Sequence, residues 1–455
     1  MRTAIVIGSN ADALVAAQLL ARAGCAVTVI DEHPACLSEA GWVPPELAAA
    51  LGLTAVKTEL PDPWLRTFLP DGSALELWQD VRRSAEALRR ISPHDAENWP
   101  RFAERMQRLA GFLQRLYLAP PPSMVDLRFA LKLRGLGRQA MEDLMRLLPM
   151  PAAELLDEWF DAEILKGALG ALAVRDLQQG PRSAGTAFAL LHSHVGLAAG
   201  VFRAPSSNLC ALLRAARGLA VREGRVANIR VRAGRASGIT MHDGEELPAD
   251  LVVSATDARR ALDELIEPGW LDPDLVTAVR RLRRRGVRAM VRWRLDDAPD
   301  WRTHTFAPSL DYVEQAYDDA KYGRVSAKPW IDARVADRTV TAHFQYAPYE
   351  LRLGTWDEQR RADIAAAALK LLPPLGGIRE MQAFAPPDLE RTAGWPQGQP
   401  LHAELALDQT LWMRPVPELA RYRTPIEGLW LCGPAMHPGV PGIAGYNCAQ
   451  EILRA

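Results

Sequence analysis

The stretch VIGSNADALVAA, Val6 to Ala17, decides how this chain is read. It begins inside TAIVIG, Thr3 to Gly8, a β-branched apolar run of the kind a strand buried on both faces requires. It continues as DALVAAQLLARAG, whose helical periodicity stops at Gly24. CAVTVIDE then reads as a second strand ending in acids. Strand, turn, helix and strand within about 30 residues form a βαβ mononucleotide-binding opening. In such a turn the first glycine permits the bend, the second lets backbone approach a pyrophosphate, and the third lets helix pack on strand. Here Gly8 takes the first position, Asn10 the second and Ala13 the third. Ala13 is an accepted substitute. Asn10 puts a side chain into the approach path, although Asn tolerates positive φ and so can keep the backbone shape.

Asp12 adds a second departure, because a carboxylate at a helix start caps the N–H groups that a pyrophosphate would use and repels that ligand. The turn alone supports two readings equally. Either Gly8, Ser9, Asn10 and Ala13 seat a dinucleotide, or Asn10 or Asp12 is an N-cap on a helix that binds nothing. Asp31 stands at the end of the second strand, where an acid accepts from the adenosine ribose hydroxyls. With Glu32 beside it, the competing reading is a solvated strand end; the spacing from the turn favours the ribose.

Further along, amphipathic helical stretches fill Trp78 to Gly200, broken by the rigid connector APPPS at Ala119–Ser123. Short alternating runs with Gly and Asp-Gly turns follow from Arg225, ending in DLVVSAT, and read as a β-meander that returns to the first sheet. Ala261 to Arg421 mixes strands (RAMVRWRLD, TVTAHFQYAP) with the helix WDEQRRADIAAAALKLL. The last segment, GLWLCGPAMHPGVPGIAGYNCAQEILRA, is again strand, glycine-rich turn and helix. Its glycines Gly433, Gly439, Gly442 and Gly445 form a second nest of backbone donors able to meet phosphate or a ring edge. His437 within it is the one candidate proton shuttle, against the commoner role of a hydrogen-bonding spacer. His192 and His194, two apart and without a third ligand, do not make a metal site, and the basic run Arg280–Arg288 reads as a solvated helix face rather than a phosphate or lipid contact.

The composition sets bounds on these readings. A chain of 455 residues exceeds what one core usually supports, and 48% hydrophobic content is ample for two. Lys+Arg (54) and Asp+Glu (55) nearly cancel, so no field points to nucleic acid, and the expected partner is a small molecule. Five cysteines without CxxC spacing exclude a disulfide framework and a structural zinc site and suit a reducing compartment. The first residues run straight into a strand and no apolar stretch reaches the roughly 18 residues of a membrane span, so the expectation is a cytoplasmic protein. Apolar helix faces between Phe102 and Leu136 would allow peripheral membrane contact; core packing is the preferred explanation.

With these residues in view, the sequence resembles the phytoene desaturase-like FAD oxidoreductases, in the branch of pyridine nucleotide-disulphide oxidoreductase domain proteins related to phytoene dehydrogenase. VIG…LVAAQLLARAG resembles the family's opening, LPDGSALELWQDVRRSAEALRRISPHDAENWPRF its strand and helix pair, and GLWLCGPAMHPGVPGIAGYNCA its closing flavin motif. LLDEWFDAEILKGALGALAV and GPRSAGTAFALLHSHVG resemble its middle motifs. The resemblance implies an α/β fold: a Rossmann-like FAD-binding domain of the GR2 type from residues 1–77, 201–260 and 422–455, with an inserted α+β substrate domain from 78–200 and 261–421. It implies that Gly8, Ser9, Asn10 and Ala13 face the FAD pyrophosphate, that Asp31 and Glu32 lie at the ribose, and that Val226 meets adenine through its backbone. Gly433, Pro441, Gly442 and Ile443 would lie along the pyrophosphate, ribityl chain and ring. The implied chemistry is hydride transfer between FAD and an apolar or amphiphilic small molecule, in desaturation, saturation or isomerisation, with no settled acid–base residue.

The departures from the family fall where backbone must approach FAD. DEHPACLSEAGWVPP carries no glycine pair, the Gly-Gly-Met-Gly that opens the central helix is replaced by Ser207, Asn208, Leu209 and Cys210, and the final glycine run is shorter. Two functions follow: an FAD-dependent oxidoreductase with an altered cofactor site, or a flavin-free member of the fold acting as a non-redox enzyme, a ligand-binding protein or a structural partner of an active homologue. A homo-oligomer or a complex with such a homologue fits either.

Overall fold

The computed structural model describes residues 1–33, 41–54, 56–68, 73–121, 137–215 and 219–455. The opening folds as expected: Thr3–Ile7 is strand β1, Ala11–Arg22 helix α1 and Ala26–Asp31 strand β2. β1 is the middle of a five-stranded parallel sheet. On one side lie β2 and then β3 (Ala220–Glu223); on the other lie β4 (Leu251–Ser254) and β5 (Leu429–Leu431). Ile5 sits opposite Thr28 of β2 and Val252 of β4, and Val253 opposite Trp430. The chain leaves β1 towards one edge and returns on the other. The crevice at the carboxyl end of β1 is therefore a topological switch point, the place where open α/β sheets bind ligands.

The meander between β3 and β4 is a separate three-stranded antiparallel sheet. The other body pairs a helical layer, including α2 (Pro93–Tyr117), α3 (Glu163–Ala173) and α4 (Thr186–His194), with a five-stranded antiparallel sheet of residues 288–384. Its core gathers Trp99, Phe102, Phe160, Phe188 and Phe202. Phe102, Met106, Leu109 and Leu113 of α2 are buried in it, so the described part of the 102–136 stretch serves as core; 122–136 lies outside the described residues.

The boundaries between the bodies differ from those expected. Trp64, Leu65, Leu75 and Leu77 pack into the helical core, so the hairpin 65–77 belongs to the second body. Ala261, Leu262, Leu265, Leu275 and Val279 pack under the parallel sheet, which extends the first body beyond 260, and Val416 and Leu419 join it ahead of 422. Periodicity marks which face is buried but not which core receives it. The basic run is also not a solvated face. Arg283 and Arg285 pair with Asp408 and Glu404, Arg284 with Asp257 and Arg288 with Asp176, tying this segment to its surroundings by ion pairs.

Two further helices close the first body, α5 (Leu209–Ala215) and α6 (Ile443–Arg454). α6 crosses α1 in backbone contact: a Cβ on Gly445 would lie 2.0 Å from the carbonyl oxygen of Asp12. No other residue fits there without parting the helices. Gly445→Ala is expected to cost about 1–3 kcal/mol of stability despite alanine's better helix propensity. Gly376→Ala, where nothing lies within 4 Å, is the neutral control. Chemical denaturation of both variants checks this, and equal midpoints would refute the contact.

Candidate functional site

A cleft opens at the switch point, between the turn Gly8–Asp12, the end of β2, the segment Ala255–Asp257 after β4, and the loops carrying Trp395, His402, Pro434 and Pro441. It holds about 820 Å³, part of it open to solvent.

Gly8 has φ +107°, a conformation that only glycine adopts without strain, and its N–H donates to the Ile30 carbonyl at 2.9 Å. Asn10 has φ −69°, so positive φ is not what it contributes. It is the N-cap of α1: its Oδ1 accepts from Ala13 N–H at 3.0 Å, and its Nδ2 donates to the Ala255 carbonyl at 2.9 Å. The carboxamide thereby ties the helix start to the segment after β4. Among the described residues the N–H groups of Ala11 and Asp12 make no hydrogen bond and line the cleft wall.

Asp12 does not cap α1, nor does its side chain stand over the turn. Its Oδ1 accepts from Gly445 N–H at 3.1 Å, at the start of α6. Burial pushes this carboxyl up to about 7, against the lowering pull of the Gly445, Gly442 and Ala444 N–H groups and of Arg414.

Asp31 is buried at the end of β2 and its Oδ1 accepts from Ser9 Oγ at 2.5 Å and His33 N–H at 3.2 Å. Its Oδ2 pairs with Arg214 Nη1 at 3.0 Å. Arg214, on α5, also donates through Nη2 to Ser9 Oγ at 2.9 Å. Glu32 accepts from Val226 N–H at 2.8 Å and from Arg260 at 2.8 Å. The Val226 N–H expected at adenine is therefore taken by Glu32. The opening of α5 is held by a side chain and by backbone: Asn208 Oδ1 accepts from Lys57 N–H at 2.8 Å, and Ser206–Ser207 pairs as a short strand with Thr58–Glu59.

In the glycine loop, a Cβ on Gly433 would lie 2.5 Å from the Ala255 carbonyl oxygen, so close packing on the segment after β4 already demands glycine there. Gly442 caps α6 with φ +85°, Ile443 opens that helix fully buried, and Pro441 lines the cleft. His437 does not line it. Its ring is buried edge-on to Tyr117 at 5.7 Å, and burial lowers its pKa to about 4, which keeps it neutral. Buried Arg414 donates to the carbonyls of Pro434 and Met436 on one side and Leu401, Ala403, Glu404 and Gln409 on the other. It pins the glycine loop to the segment that closes the cleft.

That segment, 399–402, is a partition. Pro400 and His402 face the cleft, while Gln399 and Leu401 face a second pocket of about 460 Å³, part of it open to solvent, lined also by Leu172, Arg175, Asp176, His192 and Leu405. His192 Nδ1 lies 2.8 Å from Tyr117 Oη and His194 Nδ1 meets the Val201 carbonyl, so the two histidines serve different partners. Sequence reasoning missed Arg214 and Arg260. Both sit in ordinary amphipathic stretches, and the available signal was two adjacent acids at a strand end that had to be buried with a cation.

The cleft fits the ADP half of a flavin dinucleotide in kind: a glycine bend, free first-turn N–H groups, a carboxylate at the strand end and two guanidinium groups on the wall. Comparison with known proteins agrees. The family model "Flavin containing amine oxidoreductase" matches residues 47–451. "Pyridine nucleotide-disulfide oxidoreductase domain-containing protein 2" of Mus musculus is 29% identical over 99% of this chain and 93% of its own length. "Phytoene desaturase (lycopene-forming)" of a Paracoccus species is 24% identical over 98% and 95%. Among solved structures, putrescine oxidase bound to putrescine superposes with TM-score 0.60 at 13% identity, covering 100% of this chain and 99% of that one. Cyclohexylamine oxidase of Brevibacterium oxydans IH-35A gives 0.54 at 14% identity, with the same coverage.

The Asp12 carboxyl makes stability depend on pH in a defined direction. Its folded pKa of about 7 lies above the ordinary carboxylate value, so the native chain holds this proton more tightly than the unfolded one. Its contribution falls as pH rises from about 4 to about 7 and is then lost. Asp12→Asn keeps the acceptor for Gly445 without the charge. The variant is expected to gain on the wild type as pH rises from 5 to 8, by at most about 3 kcal/mol. Denaturation midpoints across that range test this, and parallel pH profiles would refute it.

Proposed function

The chain belongs to the flavin containing amine oxidoreductase family and is by that membership an FAD-dependent oxidoreductase, and we propose that it transfers hydride between FAD and an amphiphilic small molecule. The observation that carries the substrate side of this reading is the partition 399–402, one stretch of chain with the cofactor cleft on one face and the half-polar pocket on the other. Leu172, Leu177, Leu401 and Leu405 receive an apolar part, and Arg175, Asp176 and Gln399 a polar group. A lining that is apolar on one part and polar on another suits an amphiphile better than a wholly apolar polyene.

Gly8, the first turn of α1, Glu32, Arg214 and Arg260 are the residues that would hold the cofactor, with Asp31 orienting Arg214 from behind and Pro434, Pro441 and His402 on the facing walls. FAD, when bound, supplies the hydride acceptor or donor. The chain's own part is placement: Arg414 fixes the glycine loop against 401–409, and the partition sets the distance between the two ligands. His192 is kept neutral, its pKa lowered to about 3 by burial, so it offers a hydrogen bond beside the pocket rather than a charge.

Purified protein is expected to show a flavin absorbance band and to release FAD on denaturation. Colourless protein that excess FAD does not reconstitute would overturn the reading. Ser193→Phe, which narrows the second pocket, should leave FAD content unchanged and raise KM at least tenfold for any compound that bleaches the flavin. An unchanged KM would remove that pocket from the substrate path.

A further inference from the structure

We propose that Arg214 is the phosphate anchor of the cleft, a side-chain cation doing here what close backbone approach at the second glycine does in an ordinary dinucleotide turn. This rests on the reading that the cleft takes FAD, and extends it to how the phosphate is held.

Four observations carry it. The second glycine position is Asn10, whose carboxamide consumes the Ala13 N–H and so removes one backbone donor from the turn. Arg214 lies across that same turn, with Nη2 2.9 Å from Ser9 Oγ and 3.5 Å from the Ser9 carbonyl oxygen. The guanidinium is oriented by Asp31 through Nη1, which fixes the rigid fork in one direction. Arg214 lines the cleft and 30% of its side chain remains exposed, so the guanidinium keeps a face for an anion beyond the bonds it makes to Asp31 and Ser9. Ser9 completes the arrangement: its hydroxyl donates to Asp31 and accepts from Arg214, so that carboxylate, hydroxyl and guanidinium form one closed unit at the rim of the turn. A glycine turn binds phosphate through N–H groups alone; this unit adds a charge that the turn lacks.

The test is titration calorimetry of the flavin-stripped full chain with FAD and, in parallel, with ADP, at low and high salt. In wild type both ligands are expected to bind, with affinity falling as salt rises. Arg214→Met should weaken both at least tenfold and flatten the salt dependence, and Arg214→Lys should restore part of each. Because Arg214→Met leaves Asp31 without its cation, the double variant Asp31→Asn/Arg214→Met is measured alongside, with thermal melting of each to show that it is folded. Equal affinity in Arg214→Met, or full recovery in the double variant, overturns the anchor, since Arg214 would then only neutralise Asp31. If wild type binds ADP through Arg214 but not FAD, the anchor stands and the flavin reading falls. If wild type binds neither, both fall.

Discussion

The cleft depends on the contact between Gly445 of α6 and the backbone of Asp12 in α1. Two helices whose backbones touch cannot slide or rotate independently, and here each begins at one wall of the cleft: α1 at the Gly8 turn, α6 at the glycine loop. Asp12 reinforces the contact from its own side chain, accepting from the first turn of α6. A carboxylate at a helix N-terminus is favourable through the unsatisfied N–H groups there, yet full burial works against its charge. The chain keeps an acid at a site that burial disfavours, and the consequence is a fixed distance between the two turns that border the cleft.

The opposite side of the cleft is fixed by another buried polar group. Among the described residues Arg414 has no carboxylate in hydrogen-bond contact; carbonyl oxygens from two loops satisfy it instead. Burial lowers its pKa to about 10, still well above neutrality, so it remains a cation held by dipoles. One side chain thereby joins the glycine loop of the first body to the partition of the second. The cleft and the second pocket share that partition, so a shift at either face is felt at the other.

Much of this was legible in the sequence. The β-branched run before Gly8 and the periodicity of α1 specify a parallel strand and its helix, because both patterns follow from local geometry and burial on two faces. Of the residues singled out in the sequence, Gly8, Ser9, Asn10, Glu32 and Pro441 line the cleft, since each follows or precedes a recognisable element, whereas Asp31 is buried behind its wall. What the sequence concealed was direction. Asp12 was legible as a capping acid, but whether it caps its own helix or another is settled by a helix more than 400 residues away, as the separation of 433 in its bond to Gly445 makes plain. The arginines of 280–288 were legible as charge, but their acids lie as far off as Asp408 and Asp176, where no spacing rule reaches. The changes near Cys36 fall outside the described residues.

The altered glycine positions also have a common logic once their partners are known. Replacing the second glycine of the turn by Asn10 gives α1 a side-chain cap and a tie to Ala255, and replacing the glycines that open α5 by Ser207 and Asn208 gives that helix an acceptor for the Leu209 N–H and a tie to Lys57. Both exchanges trade backbone that is free to approach a ligand for side chains that lock the backbone to its neighbours. The second one also fixes the start of the helix that carries Arg214. A guanidinium can reach over a locked turn where backbone cannot approach, so stiffening the scaffold and moving recognition onto a side chain are physically compatible changes. Had only Asn10 changed, the turn would have lost a donor without any replacement; α5, held in place and presenting Arg214 to Ser9 and Asp31, is what makes that loss tolerable.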